Sequence, residues 1–148
     1  MAAEPKARPD VRVMTEIGII VQLSQARLDR NLPDGLSAAQ FGVLTHFMRR
    51  GGQESPARLA KAFQVTKGAM TNTLQRLEAQ GFVTIVGDET DGRRKLVSLT
   101  TAGARAYDGG IGAMRPYLEA MRGAFTEDEF KAALPFLQAL RVWLDENR

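Results

Sequence analysis

Residues 55–100 read SPARLAKAFQVTKGAMTNTLQRLEAQGFVTIVGDETDGRRKLVSLT, and the fold is decided here. Ser55-Pro56 is a helix N-cap followed by proline at the first helical position, where its missing N–H costs nothing. The short helix from Pro56 to Phe63 carries Leu59, Ala60 and Phe63 on one side. Gln64-Val65 makes a tight turn. Thr66 then caps a second helix that runs to about Gln80 and is closed by Gly81. In that helix Met70, Leu74 and Leu77 recur at i, i+4 and i+7 and face inward. Lys67, Gly68, Thr71, Asn72, Gln75 and Arg76 share the opposite side. The period then changes to 2. Residues 82–86 (FVTIV) and 95–100 (KLVSLT) read as strands, and the polar turn between them contains Asp91-Gly92. This is a β-hairpin with a charged tip.

Short helix, tight turn, amphipathic helix and charged hairpin make a winged helix-turn-helix. A helix whose outward side is small and polar enters a major groove about 12 Å wide and reaches base edges. Lys67 and Arg76 suit phosphates. Thr71, Asn72 and Gln75 suit base edges. Gly68 lets the backbone come close at the helix N-terminus, where free N–H groups favour phosphate. Arg93 and Arg94 at the hairpin tip suit a narrow, negatively charged minor groove. Asp91, two residues from Arg93, is placed to hold its side chain.

Outward from this stretch, charge and composition agree. The chain has 148 residues and a formal net charge of +3, a length that fits one domain rather than two. Residues 1–48 are neutral; residues 49–105 carry ten basic against five acidic side chains; residues 106–148 carry five against seven. The positive field therefore sits on the winged-helix stretch, as a phosphate-binding surface requires. With no cysteine and one histidine, His46, a thiolate nucleophile, a disulfide, a cysteine redox switch and a Cys-zinc or His-rich metal site are excluded. No phosphate-cradling loop and no spaced carboxylate pair on an apolar face is present, so no enzyme, cofactor or metal is expected. No apolar run approaches the ~20 residues that span a bilayer. The first ten residues are polar, with Pro5 and Pro9, and read as a disordered tail rather than a signal peptide. A cytoplasmic protein is expected.

Helical spacing flanks the central stretch. Residues 11–30 carry Val13, Ile17, Ile20, Val21 and Leu28, and residues 32–35 (LPDG) break the helix. Ser37 and Gln40 form a capping box for a helix with Phe41, Val43, Leu44 and Phe47 on its apolar side. Beyond Thr100, Tyr107, Ile111, Met114, Leu118, Met121 and Phe125 recur at helical spacing; Gly109, Gly110 and Gly112 weaken this stretch, and Pro116 is expected to kink it. Thr126 and Glu129 cap a last helix carrying Phe130, Leu134, Leu137, Leu140 and Leu144. The fold class is thus mainly α with a small β-wing. Its divisions are a tail at 1–10, an N-terminal helix and linker at 11–36, the winged helix-turn-helix at 37–100 and C-terminal helices at 101–148.

The sequence resembles MarR-type transcriptional regulators. The resemblance rests on the helix-turn-helix from Ser55 to Thr71, on Leu74-x-x-Leu77-Glu78-x-x-Gly81-Phe82-Val83, and most specifically on Asp88-x-x-Asp91-x-Arg93 followed by Leu96-Val97-x-Leu99-Thr100-x-x-Gly103. It implies that Asp88 and Asp91 support the wing. It also implies a homodimer whose N-terminal and last two helices form the interface, each winged helix reading one half of a pseudo-palindromic operator in double-stranded DNA. The apolar side chains of residues 11–30 and of the last helix, spread over more than one side, agree with this. Half-sites lie about one helical turn apart in such a dimer. The resemblance further implies a repressor released by a small, often aromatic ligand bound between the dimerisation and DNA-binding parts, for which Phe41, His46, Phe47, Met114 and Tyr117 are the candidate lining. His46 has no evident acidic companion in the sequence. Two features depart from the family pattern: Gly92 in the wing and the glycines at 109–112. The alternative reading is a winged helix that binds a protein partner and no specific DNA.

Overall fold

The computed structural model describes residues 8–148. Its first helix, α1 (Pro9–Asn31), starts where proline's fixed φ suits the first helical position, with Asp10 in the first turn. The helix therefore takes in part of the stretch read as a tail, and residues 1–7 of that tail lie outside the described residues. Next along the chain come α2 (Ala38–Arg50), β1 (Gln53–Glu54), α3 (Pro56–Phe63), α4 (Lys67–Ala79), β2 (Val83–Gly87), β3 (Lys95–Leu99), α5 (Thr101–Ala124) and α6 (Glu127–Glu146). The architecture is mainly helical, with one small antiparallel sheet in the order β1-β3-β2. Strand β1 has no counterpart in the sequence reading, because two residues carry no period.

The helix starts obey the capping logic. The Ser37 hydroxyl accepts from Gln40 N–H while the Gln40 side-chain oxygen accepts from Ser37 N–H, both at 3.2 Å. Ser55 and Thr66 accept from the N–H groups of Arg58 (3.3 Å) and Ala69 (3.1 Å). Between α3 and α4, Gln64 takes a left-handed conformation (φ 55°) and so turns the chain within two residues.

The chain divides into two compact units, one ending at Ala113 and one from Met114 to Arg148. The core of the first unit is built from Leu36, Val43, Leu44, Phe47, Leu59, Ala60, Met70, Leu74, Leu77, Val83, Val97 and Ala106. The three inward α4 residues read from the helical period all belong to it. Gly103 is required by close packing: a Cβ there would lie 2.1 Å from the Phe82 carbonyl oxygen. The glycine cluster has a similar cause at one member. Gly110 faces the Phe41 ring, which a Cβ would approach to 2.4 Å, and Phe41 in turn stacks on Tyr107 at 5.5 Å. The helix α5 runs unbroken through these glycines and through Pro116.

Helix α1 buries none of its residues. Its C-terminal end is held to α2 by the Asp29 carboxylate, which accepts from Ala38 N–H at 2.7 Å. In the second unit, Thr126 and Glu129 form the expected capping box of α6, and Phe125 meets Phe130 edge-on at 6.3 Å. No residue of α6 is buried.

Candidate nucleic-acid interface

Helix α4 projects Lys67, Gly68, Thr71, Asn72, Gln75 and Arg76 into solvent, because the 3.6-residue period commits Met70, Leu74 and Leu77 to the core. The hairpin β2–β3 is in register from Val83↔Leu99 to Gly87↔Lys95, and its tip carries Arg93 and Arg94, both exposed. Between α4, the start of α3 and the hairpin lies an open cleft of about 700 Å³. Lys67, Thr71, Gln75, Arg93 and Arg94 line it. Asn72 and Arg76 are exposed on the same helix outside the cleft wall, and Gly68 has open space around it.

Sequence reasoning missed part of this surface. Arg58, Lys95 and Ser55 also line the cleft. The signals were present: Arg58 lies three residues after an N-cap, and Lys95 begins a strand whose alternate residue Val97 is buried. The cleft wall thus holds five basic side chains (Arg58, Lys67, Arg93, Arg94, Lys95) and one acid, Glu78. Such a concentration of one sign in a concave surface attracts a polyanion.

The wing tip is held by its two aspartates through the backbone. One Asp88 carboxylate oxygen accepts from the Thr90 hydroxyl at 2.7 Å and from Thr90 N–H at 2.9 Å. These two bonds, with the nearby Arg94 charge, hold the Asp88 pKa below its ordinary value. Asp91 accepts from the N–H of Arg93 at 3.1 Å. This bond fixes the Arg93 backbone, a turn bond that a short carboxylate two residues away makes readily.

Of the residues read as a ligand lining, Phe41, His46 and Phe47 are buried on α2. His46 is not without an acidic companion: its Nε2 lies 2.9 Å from Glu54 Oε2. Phe41 stacks on Tyr107, and Phe47 is a core residue. In the second unit Met114 is buried and Tyr117 half-buried on α5. Within the first unit a second cavity, about 490 Å³, is lined by Gln25, Asp29, Ser37, Gly42, Val43, Phe63, Val65, Met70 and Thr73 among others. Phe41, His46 and Phe47 line neither cavity. Among the described residues, no cluster of His, Asp or Glu fit to hold a metal is present, and no helix is long and apolar enough to cross a membrane.

A sequence model of the MarR family matches residues 34–94. The chain is 37% identical over 93 residues to the multiple antibiotic resistance protein MarR of Escherichia coli, covering 60% of this chain and 64% of that protein. The chain thus matches less than two thirds of that relative's length. Its fold is similar to a crystal structure of MarR with a TM-score of 0.82 at 25% identity, covering 99% of this chain and 98% of that one. It is also similar to a mutant Escherichia coli MarR complexed with operator DNA, with a TM-score of 0.71 at 27% identity over 93% and 99% of the two chains.

Proposed function

We propose that this chain is a member of the MarR family and a regulator of transcription that binds a specific sequence in double-stranded DNA. The observation that carries the reading is the basic cleft between α4 and the wing. Its polar helix face and cationic hairpin tip correspond to major-groove and minor-groove readers respectively. In this reading Thr71, Asn72 and Gln75 meet base edges, Lys67 and Arg76 meet phosphates, and Arg93 and Arg94 enter the minor groove. Arg58 and Lys95 add phosphate contacts. Similarity to a MarR structure determined with operator DNA supports it.

The proposed working form is a homodimer on a pseudo-palindromic operator. It is supported by the apolar side chains left exposed on α1, such as Ile20 and Leu23, and on α6, such as Phe136 and Trp143. Large apolar side chains left exposed in number on a helix mark an interaction surface. The proposal extends to a cytoplasmic repressor released by a small ligand. The 490 Å³ cavity beside α1, α2 and α4 is a candidate seat within the first unit, separate from Phe41, His46 and Phe47.

The test is selection of duplexes from a random double-stranded pool by the purified chain. A pseudo-palindromic sequence is expected to enrich, and Arg93→Ala is expected to weaken its capture strongly. A pool that emerges unenriched favours the protein-interaction reading instead, and an Arg93→Ala variant that enriches the same sequence as well as the wild type removes Arg93 from the minor-groove role.

A further inference from the structure

The single histidine of the sequence takes no part in the interface described above. Its side chain is 7% exposed, and its Nε2 lies 2.9 Å from Glu54 Oε2, whose side chain is 17% exposed. The imidazole packs edge-on to Phe47, with ring centroids 5.8 Å apart, and is tilted against Phe63 at 5.5 Å. A polar pair in such apolar surroundings holds together because each member leaves the other unsatisfied if it moves.

The two ends of this pair belong to different parts of the fold. His46 is on α2, next to the core residue Phe47. Glu54 is on β1, where it opposes Val97 of β3. Strand β1 is two residues long, too short to fix its own place by ladder bonds. Yet the backbone leaving β1 leads directly into the cleft wall: Ser55 caps α3 through Arg58 N–H, and Ser55 and Arg58 both line that wall. The strand paired with β1, β3, starts at Lys95, which lines the cleft too.

We infer that His46 and Glu54 are a positioning pair for DNA reading, anchoring β1 to α2 and thereby setting the start of α3 and the inner wing strand at the spacing the duplex requires. The inference rests on the proposed DNA-binding function. Neither residue touches DNA in this account; the hydrogen bond between them acts through β1 on Arg58 and Lys95.

The test uses the full chain and the duplex that the wild type enriches from a random pool. Glu54→Gln, which keeps an acceptor for the imidazole N–H, is expected to bind that duplex close to wild type. Glu54→Leu, measured well below its melting temperature with the fold checked by circular dichroism, is expected to lose about tenfold or more in affinity (about 1.4 kcal/mol). A merely structural pair would lower the melting temperature of Glu54→Leu and leave the affinity of the folded molecules unchanged. A second readout needs no variant. The imidazole ring protons of His46 give unique NMR signals, because the chain has one histidine, and they are expected to shift when the duplex is added. Should Glu54→Leu fail to fold, this readout decides alone. Unchanged affinity in folded Glu54→Leu, equal loss in Glu54→Gln and Glu54→Leu, or unmoved His46 signals on duplex binding overturns the inference and leaves the DNA-binding function standing. A wild-type chain that enriches no duplex overturns both.

Discussion

In α4, Met70, Leu74 and Leu77 are 3% exposed or less, and every outward position is polar or small. In α6, Leu134, Phe136 and Trp143 are each more than half exposed, and the helix buries nothing. Both helices have amphipathic spacing, and both begin at a threonine cap. The difference lies in where the apolar side finds a partner. The winged-helix stretch satisfies its own, with α2, α3, α4 and the sheet contributing to one core, so its outer surface is free to be polar and basic. Helices α1 and α6 carry large apolar side chains that the single chain leaves in water. A region that is complete by itself is suited to present a binding face. A region that is incomplete by itself is suited to join two chains.

Breaking the incomplete side is expected to have the largest effect. Trp143→Glu places a charge at an exposed aromatic of α6 and is expected to cost the assembly ~2–8 kcal/mol, the range of a central aromatic anchor. Sedimentation is then expected to find a 16.2 kDa monomer, against an expected dimer for the wild type. Since the sequence holds a single tryptophan, wild-type fluorescence also reports on it, with the emission shifting red on dilution through the dissociation range. A wild type that is monomeric at micromolar concentration removes the contrast between the two regions.

Breaking the complete side is expected to act on stability instead. Leu77→Ala removes a fully buried side chain and is expected to lower unfolding free energy by about 2–5 kcal/mol in chemical denaturation. Truncating the outer face of α4 is expected to leave stability alone and change recognition. Asn72→Ala or Gln75→Ala relaxes base preference by about 1–3 kcal/mol each. Arg76→Ala weakens binding to all duplexes alike and reduces the salt slope by about 1. Loss of base preference in Arg76→Ala, or its retention in both Asn72→Ala and Gln75→Ala, reverses the assignment of that face.

Two smaller effects sharpen the comparison at element ends. Thr126→Ala removes the α6 capping box and is expected to cost about 1 kcal/mol of stability. Asp88 is held below its ordinary pKa, chiefly by the Thr90 hydroxyl. Its contribution to wing-turn order is therefore present at neutral pH and is lost as pH falls through that lowered value. The Thr90 amide resonance is expected to keep its neutral-pH position until pH drops below the ordinary aspartate range, and Asp88→Asn is expected to abolish that transition.

Much of the fold was legible because it depends on local rules. The Met70, Leu74, Leu77 spacing, the Ser37–Gln40 and Thr126–Glu129 boxes and the hairpin around Asp91-Gly92 are each set by residues within one turn or one loop of one another. What escaped reading depends on pairing at a distance. Strand β1 exists only because Gln53 and Glu54 lie opposite Ser98 and Val97, over forty positions later. The His46–Glu54 bond crosses the Gly51-Gly52 turn between α2 and β1, and an eight-residue separation carries no helical or strand signature. Arg58 and Lys95 were counted in the charge balance, but only the folded hairpin brings them to one cleft. Gly110 was legible as an oddity in a helix, and its cause, the Phe41 ring, was not.

The central claim is that the basic cleft of the winged helix reads a DNA sequence. It is tested most directly by titrating the full chain against the duplex upstream of its own gene and against a scrambled duplex of the same composition, at two salt concentrations. Binding to the upstream duplex is expected to be tighter by about a thousandfold or more, with affinity for both falling steeply as salt rises, since each neutralised phosphate releases counterions. Equal affinity for the two duplexes at both salt concentrations would contradict the claim.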